Sequence, residues 1–540
     1  MEEVRKHFGI AQAVRIVFLL ALAVWAAVFA VPALMRGDAA VFKGHLLYMA
    51  AAVWLFLMRP GGWLNSVRMA DLTVKEKIIA AVMAAVVIYC LLAPMDLSPV
   101  WSGVKETYRN EYEVMSEALL NGHVYMDKEP SRELLAMENP YDFVARVKNN
   151  VPFPWDHAYY KGHFYMYYGV VPEFLAFIPY RLITGHVLPG YHATQAFVLV
   201  SVIGLFLLFY KFARRLFPDM PFGMYLSLSA GVSVLSFWYA SAAPMLYCTA
   251  ITSGICLEIW SLLLLFQAGW CETSRVKQYA EIILGTFLGA LTFGCRPTIG
   301  LANLICFPVV FELWRRREKT GVFISQFLCG IIPYILVIGA LMYYNYVRFE
   351  SPFEFGQAYQ LTSADQHEYG SMLSRFSWFT TLNGIRQQFF LLYDLSPDFP
   401  HVEFYGAYVN FPVLLLSWAY LRHDVRMSFR RDHLGWFAAV LAALPLIITV
   451  MQIQWAPVVA ERYRMDIYFL MGIMTFLVCG YLVQNLPAGS RGNLAFVTGI
   501  LCELAAFSAL LLFLVPFDNN IAILDPEYLA GWKAILTMGK

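Results

Sequence analysis

Residues 16–35 read IVFLLALAVWAAVFAVPALM, an uninterrupted apolar run without one charged side chain. Its length matches the roughly 20 residues that an α-helix needs to cross a hydrocarbon core about 30 Å thick. The stretch before it, MEEVRKHFGIAQAVR, imitates the start of a secretory signal. The apolar run is too long for a signal core, however, and no small-residue cleavage site follows, so it reads as a retained helix.

Working outward, blocks of the same kind recur at 78–95, 322–344 and 494–517. Of the 540 residues, 59% are hydrophobic and 14% charged, with a mean hydropathy of +0.57. A soluble domain carries about a quarter charged residues, so this chain lacks the polar surface to cover a water-exposed globule. The sequence therefore predicts an all-α integral membrane protein. A net charge of +1 gives no basic surplus for nucleic acid, and that partner class is excluded. The nine cysteines follow neither metal-ligand nor disulfide spacing.

Lysine and arginine orient the spans, because positively charged loops stay on the cytoplasmic side. The basic clusters lie at 59–77, 211–215, 275–277, 315–319 and 422–431. Placing them inside together with the N-terminus predicts about thirteen spans. It also leaves 96–188, 348–404, the short stretch 452–464 and a tail from 518 outside. Two spans, 46–58 and 282–293, look short for a crossing, and 169–184 reads as a re-entrant or juxtamembrane helix, a form tolerated where protein or a water-filled cavity covers it. The organisation is then 1–77 as additional N-terminal spans, 78–484 as a core with the two long loops, and 485–540 as the last span and an external tail.

The chemistry concentrates in the first long loop. Acids are frequent there, including Glu111, Glu113, Glu117, Asp127, Glu129, Asp142 and Asp156. Around 155–168 they meet a dense aromatic cluster with His157, Tyr160, Lys161 and Tyr165. Rings beside acids suit a carbohydrate, since an aromatic face covers sugar C–H surface while a carboxylate takes a hydroxyl proton. The plainer alternative is an aromatic belt at the membrane interface. Arg296, Arg348 and Arg462 lie near the outer ends of spans and offer guanidinium forks for a phosphate. Against that stand interfacial snorkelling and ion pairing with Glu350, Glu461 or Asp466. Glu258 and Glu503 fall inside spans, where an acid is expensive and marks a relay by default.

Three stretches resemble the GT-C superfamily of polytopic glycosyltransferases, including the dolichyl-phosphate-mannose and aminoarabinose transferase types. Asn110-Glu111-Tyr112, followed by Ala118-Leu119-Leu120 and Gly122, is similar to the acidic opening of that family's first large loop. The run from Tyr160 through Tyr165, then Pro172, Phe174-Leu175 and Gly185, is similar to its approach to a juxtamembrane helix. Arg462-Tyr463 is similar to its late R-Y. The likeness covers roughly 78 to 480, with Asn110 standing where the family usually has aspartate.

The resemblance implies transfer of a hexosyl or pentosyl group, with inversion, from a polyprenyl-phosphate donor to a glycan, lipid or protein acceptor at the outer face of the cytoplasmic membrane. It implies Glu111 or Asp156 as the base. Tyr112, His157, Tyr160, Lys161 and Tyr165 would line the substrate, and Arg296, Arg348 and Arg462 would hold the lipid phosphate. A divalent cation, Mg or Mn, is a conceivable cofactor. The rivals are a lipid-linked sugar transporter or flippase and a non-catalytic scaffold in envelope assembly.

Overall fold

A computed structural model of the chain describes residues 2–97, 111–244, 246–317, 319–368, 374, 376–392, 396–455, 460–517 and 520–539. Asn110 lies outside these described residues. The described chain is a bundle of helices, eleven of them long and apolar enough to cross a membrane. They run Gln12–Met35, Ala39–Ser66, Val74–Leu97, Gly190–Leu216, Phe222–Ala242, Leu246–Trp270, Pro297–Arg315, Thr320–Phe349, Gly435–Gln454, Glu461–Asn485 and Ala488–Phe513.

Against about thirteen expected spans, the difference falls on two elements. Arg275–Thr292 is an 18-residue helix, about 27 Å long, but its first two turns carry Arg275, Lys277 and Glu281. Pro412–Leu421 is a ten-residue 3₁₀ segment, about 20 Å long. The stretch 46–58 is not short after all. Its helix begins at Ala39, where Asp38 caps it by accepting from the Val41 amide at 3.0 Å.

Phe222–Ala242, Leu246–Trp270 and Glu461–Asn485 are enclosed by the other helices. Lipid tails are as apolar as leucine, so close packing rather than hydrophobic transfer holds such helices together. Small residues permit it: a Cβ on Gly472 would sit 2.4 Å from Val232. At the periphery, helix Pro526–Thr537 lies along Ala39–Met58. Gly44 leaves room for it, since a Cβ there would come within 2.2 Å of the Ile535 carbonyl oxygen, and the Tyr48 hydroxyl donates to the Leu536 carbonyl at 2.7 Å.

The basic clusters meet at one end of the bundle. Arg214 donates to the Met69 and Ala70 carbonyls at 2.6 and 2.8 Å, and Arg215 to the Trp270 carbonyl at 2.6 Å. Trp270 Nε1 donates to the Asp432 carbonyl at 3.1 Å, and Arg491 pairs with Asp219 at 2.8 Å.

The first long loop folds at the opposite end. After helix Glu111–Leu120 and two short helices comes a β-hairpin, Ala158–Tyr160 with His163–Tyr165. Lys161 and Gly162 form its two-residue turn, and both have positive φ (48° and 82°), as the right-handed strand twist favours. Residues 359–361 of the second loop extend this sheet: Tyr159 N donates to Tyr359 O at 2.9 Å and Leu361 N to His157 O at 2.9 Å.

The stretch 169–184 is a short helical pair, Glu173–Phe177 and Ile178–Thr184, closed by Gly185 at φ 74°. Spanning about 18 Å, it is too short to cross, and its exposed Phe174, Leu182 and Ile183 give it a lipid-seeking face. Gly169 enters it against the break after Arg275–Thr292, where a Cβ would lie 2.2 Å from the Gly294 carbonyl oxygen. The second loop contains an element that the sequence reading left as loop. Helix Trp378–Phe390 exposes Trp378, Phe379, Leu382 and Phe390.

Candidate active site

At the loop end, the turn before the hairpin delivers Asp156 to the top of the enclosed helices. Asp156 adopts φ 59°, a left-handed conformation that aspartate visits more readily than most residues. Its amide donates to Leu361 O at 3.1 Å, which fixes the turn to the second loop. One carboxylate oxygen accepts from Gln360 Nε2 at 3.0 Å, and the other accepts from the hydroxyl of Tyr247, second residue of Leu246–Trp270. Burial pushes the Asp156 carboxyl above its ordinary range, opposed by the Tyr247 hydroxyl, Arg462 and Gln360.

Glu111, first residue of its helix, is buried beside Asp156, and its Oε2 has no hydrogen-bond partner among the described residues. Burial, and then the neighbouring Asp156, hold its carboxyl well above the usual carboxylate range. His157 Nδ1 lies 2.9 Å from the Trp155 carbonyl and 3.4 Å from Glu111 Oε1. Burial lowers its pKa to about 4, so the contact with Glu111 is a neutral one and not an ion pair.

The cations come from helix ends. The Arg462 guanidinium lies 4.0 Å over the Tyr247 ring and 5.3 Å from that of Tyr463, with a buried Nε that no described residue accepts. Arg296 sits 5.2 Å from the same Tyr463 ring. Its Nε bonds both oxygens of the fully buried Asp466 at 2.8 Å, and Thr298 and Gln452 also donate to that carboxylate at 3.1 and 3.0 Å. No described residue takes the terminal nitrogens of Arg296. Two guanidiniums therefore converge on one tyrosine, Arg296 paired with Asp466 and Arg462 in the field of Asp156.

Other residues singled out from the sequence lie apart from this group. Tyr112 is core: its hydroxyl donates to Gly169 O at 3.1 Å and its ring stacks on Phe177 at 5.3 Å. Tyr165 packs on Phe349. Lys161 pairs with Glu350 at the exposed hairpin tip, and the Tyr160 hydroxyl reaches the same glutamate at 3.4 Å. Arg348 is buried and donates to Met166 O at 2.6 Å and Asn345 Oδ1 at 2.7 Å, a fastening between loop and helix. Glu258 is buried in its helix with both oxygens unpartnered among the described residues, and Glu503 is half-buried on Ala488–Phe513. Neither bonds to any residue of the group.

Tyr247 and Gln360 were missed. A tyrosine opening a span is a weak signal, and nothing near Gln360 in sequence marks it. For a divalent cation the group offers two neighbouring carboxyls, Asp156 and Glu111. Among the described residues no three His, Cys, Asp or Glu side chains gather.

No family model and no curated protein matches the chain. Two solved structures are similar to it. One is ArnT from Cupriavidus metallidurans bound to undecaprenyl phosphate, with 12% identity, a TM-score of 0.41 and coverage of 86% of this chain and 76% of that one. The other is the apo oligosaccharyltransferase of Archaeoglobus fulgidus, with 11% identity and a TM-score of 0.46. That alignment covers 80% of this chain but spans 56% of the oligosaccharyltransferase.

Proposed function

We propose that the protein is a membrane glycosyltransferase of the GT-C type, moving a sugar from a polyprenyl-phosphate donor to an acceptor hydroxyl at the loop end of the bundle. The observation that carries this reading is one constellation: Asp156 and Glu111, two neighbouring carboxyls, beside Arg462 with an unpartnered Nε and Arg296 bound through its Nε. In the proposed step the acceptor oxygen bonds to the anomeric carbon as the bond from that carbon to the phosphate oxygen breaks. Asp156 takes the acceptor proton, and Arg462 and Arg296 receive the charge that grows on the departing polyprenyl phosphate. In-line displacement inverts the anomeric centre. Base assistance contributes about 10²–10⁴-fold, and charge stabilisation in a site screened from water adds at least as much.

Asp156 is the better base of the two acids, because it is hydrogen-bonded and partly exposed whereas Glu111 is buried with its carboxyl pushed well up. On the charge rule the loop end faces outward across the cytoplasmic membrane, with the N-terminus inside. The test uses protein in lipid nanodiscs, a panel of polyprenyl-phosphate sugars, and detection of free polyprenyl phosphate. Release that disappears in Asp156→Asn supports the reading. Binding of the lipids without release from any donor–acceptor pair overturns it in favour of transport.

A further inference from the structure

Asp156 and Arg462 carry opposite charges a few atoms apart, yet no ion pair joins them. Tyr247 touches both: its hydroxyl donates to Asp156, and its ring carries the Arg462 guanidinium at 4.0 Å. In a poorly hydrated site a carboxylate and a guanidinium attract strongly, and a direct fork between them would occupy both. We propose that Tyr247 is a positioning residue that acts as a spacer: it holds Asp156 by its hydroxyl and Arg462 by its ring, so that the two do not neutralise each other. The carboxylate then stays open to an acceptor proton and the guanidinium to a lipid phosphate. This rests on the glycosyl-transfer reading above. It adds a device for keeping base and phosphate receptor separately available until the substrates arrive.

The geometry accounts for two further details. Arg462 keeps its Nε unpartnered, although an acid is close enough to act on it electrostatically. Tyr247 is itself braced by the ring of Tyr168, centroid to centroid 5.6 Å in a T-shaped contact, so it is not free to swing aside. The charged or titratable groups facing Asp156 are Glu111, Tyr167, Tyr168, Tyr247 and Arg462, with Lys128 acting on Glu111 and His157.

Because the two halves of the tyrosine do different jobs, two substitutions separate them. Tyr247→Phe keeps the ring and loses the hydroxyl. It should bind undecaprenyl phosphate as the wild type does and turn over about tenfold more slowly, the scale of one hydrogen bond to a charged group. Its acid limb should move to higher pH, because a donor to the carboxylate is gone. Tyr247→Ala removes the spacer. Arg462 should be captured by Asp156, undecaprenyl phosphate should bind roughly tenfold more weakly, and the acid limb should move the other way.

Asp156→Asn added to Tyr247→Ala removes the captor and should restore lipid-phosphate binding although turnover is lost. A purely structural role for Tyr247 predicts neither the opposite shifts nor the rescue. Wild-type binding in Tyr247→Ala, or a double variant that stays weak, overturns the spacer while leaving the transfer reading intact. If Tyr247→Ala does not fold, an unmoved acid limb in Tyr247→Phe overturns it equally. A wild-type protein that binds no undecaprenyl phosphate and releases none from any donor overturns the transfer reading, and the spacer falls with it.

Discussion

The two ends of the bundle use the same residue types to opposite effect. At the basic end Arg214 and Arg215 donate to backbone carbonyls, Arg491 pairs with Asp219, and Arg315 and Arg316 pair with the buried Glu312. At the loop end Arg462 keeps a nitrogen unpartnered, Glu111 an oxygen, and Arg296 is engaged only through Nε. Buried polar groups are ordinarily satisfied, so the unpartnered atoms of Arg462 and Glu111 call for an explanation. Arg348, also at the loop end, donates to Met166 and Asn345 from its terminal nitrogens and leaves its Nε without a partner among the described residues. What separates Arg348 from Arg462 is that the terminal nitrogens of Arg348 are already engaged within the fold.

The largest effect that would break this contrast is Asp156→Asn, expected to cut transfer by about 10²–10⁴-fold with an unchanged gel-filtration profile. Next comes a matched pair. Arg462→Ala should cost about a hundredfold in transfer with normal stability. Arg214→Ala should instead lower stability by about 1 kcal/mol and leave the rate per folded molecule alone, as thermal unfolding and turnover measured on one preparation will show. Equal effects on rate would erase the distinction between the ends.

The pH profile sharpens it further. Asp156 must be ionised, so activity is lost as pH falls through its raised pKa. Glu111, held well up by burial and by Asp156, is expected to supply an alkaline limb, where activity falls as its proton leaves. Glu111→Gln should keep a rate within about tenfold of wild type and lose the alkaline limb only. Abolished turnover in that variant would make Glu111 the base.

Two smaller effects follow. Glu173, buried without a partner for either oxygen among the described residues, has its carboxyl pushed well up by burial alone. Its folded-state pKa is raised, so it favours the fold below the ordinary carboxylate range and loses that contribution as pH climbs. Glu173→Gln should therefore raise the midpoint of thermal unfolding at alkaline pH by a few degrees, about 1 kcal/mol, and change little in acid. Lys161→Ala, at the exposed hairpin tip, should alter turnover less than about twofold.

The spans were legible because membrane crossing imposes length and composition together, which 16–35 displays without ambiguity. Where polar residues enter a helix, the signal failed. Lys43 and His45 hid the first turns of Ala39–Met58, although Asp38 announces its cap. Arg275, Lys277 and Glu281 likewise masked the start of Arg275–Thr292. In the site, Glu111, Asp156, Arg296 and Arg462 could be named from their chemistry and their place beside the spans. Sorting them from Arg348, Lys161, Tyr112 and Tyr165 required knowing which partner each had found, and such partners are distant in sequence. Tyr247 meets Asp156 across 91 positions, Gln360 across 204.

The clasp between Tyr48 and Leu536 joins residues 488 positions apart. At a synthesis rate of roughly 5–20 residues per second, the cradle at Gly44 stands empty for about half a minute or more after it has been made. Through that interval the first pair of helices lies in the bilayer without its clasp. A chain that lacks 526–537 would carry the whole acidic and aromatic apparatus of the loop end and still miss the clasp on its first pair of helices.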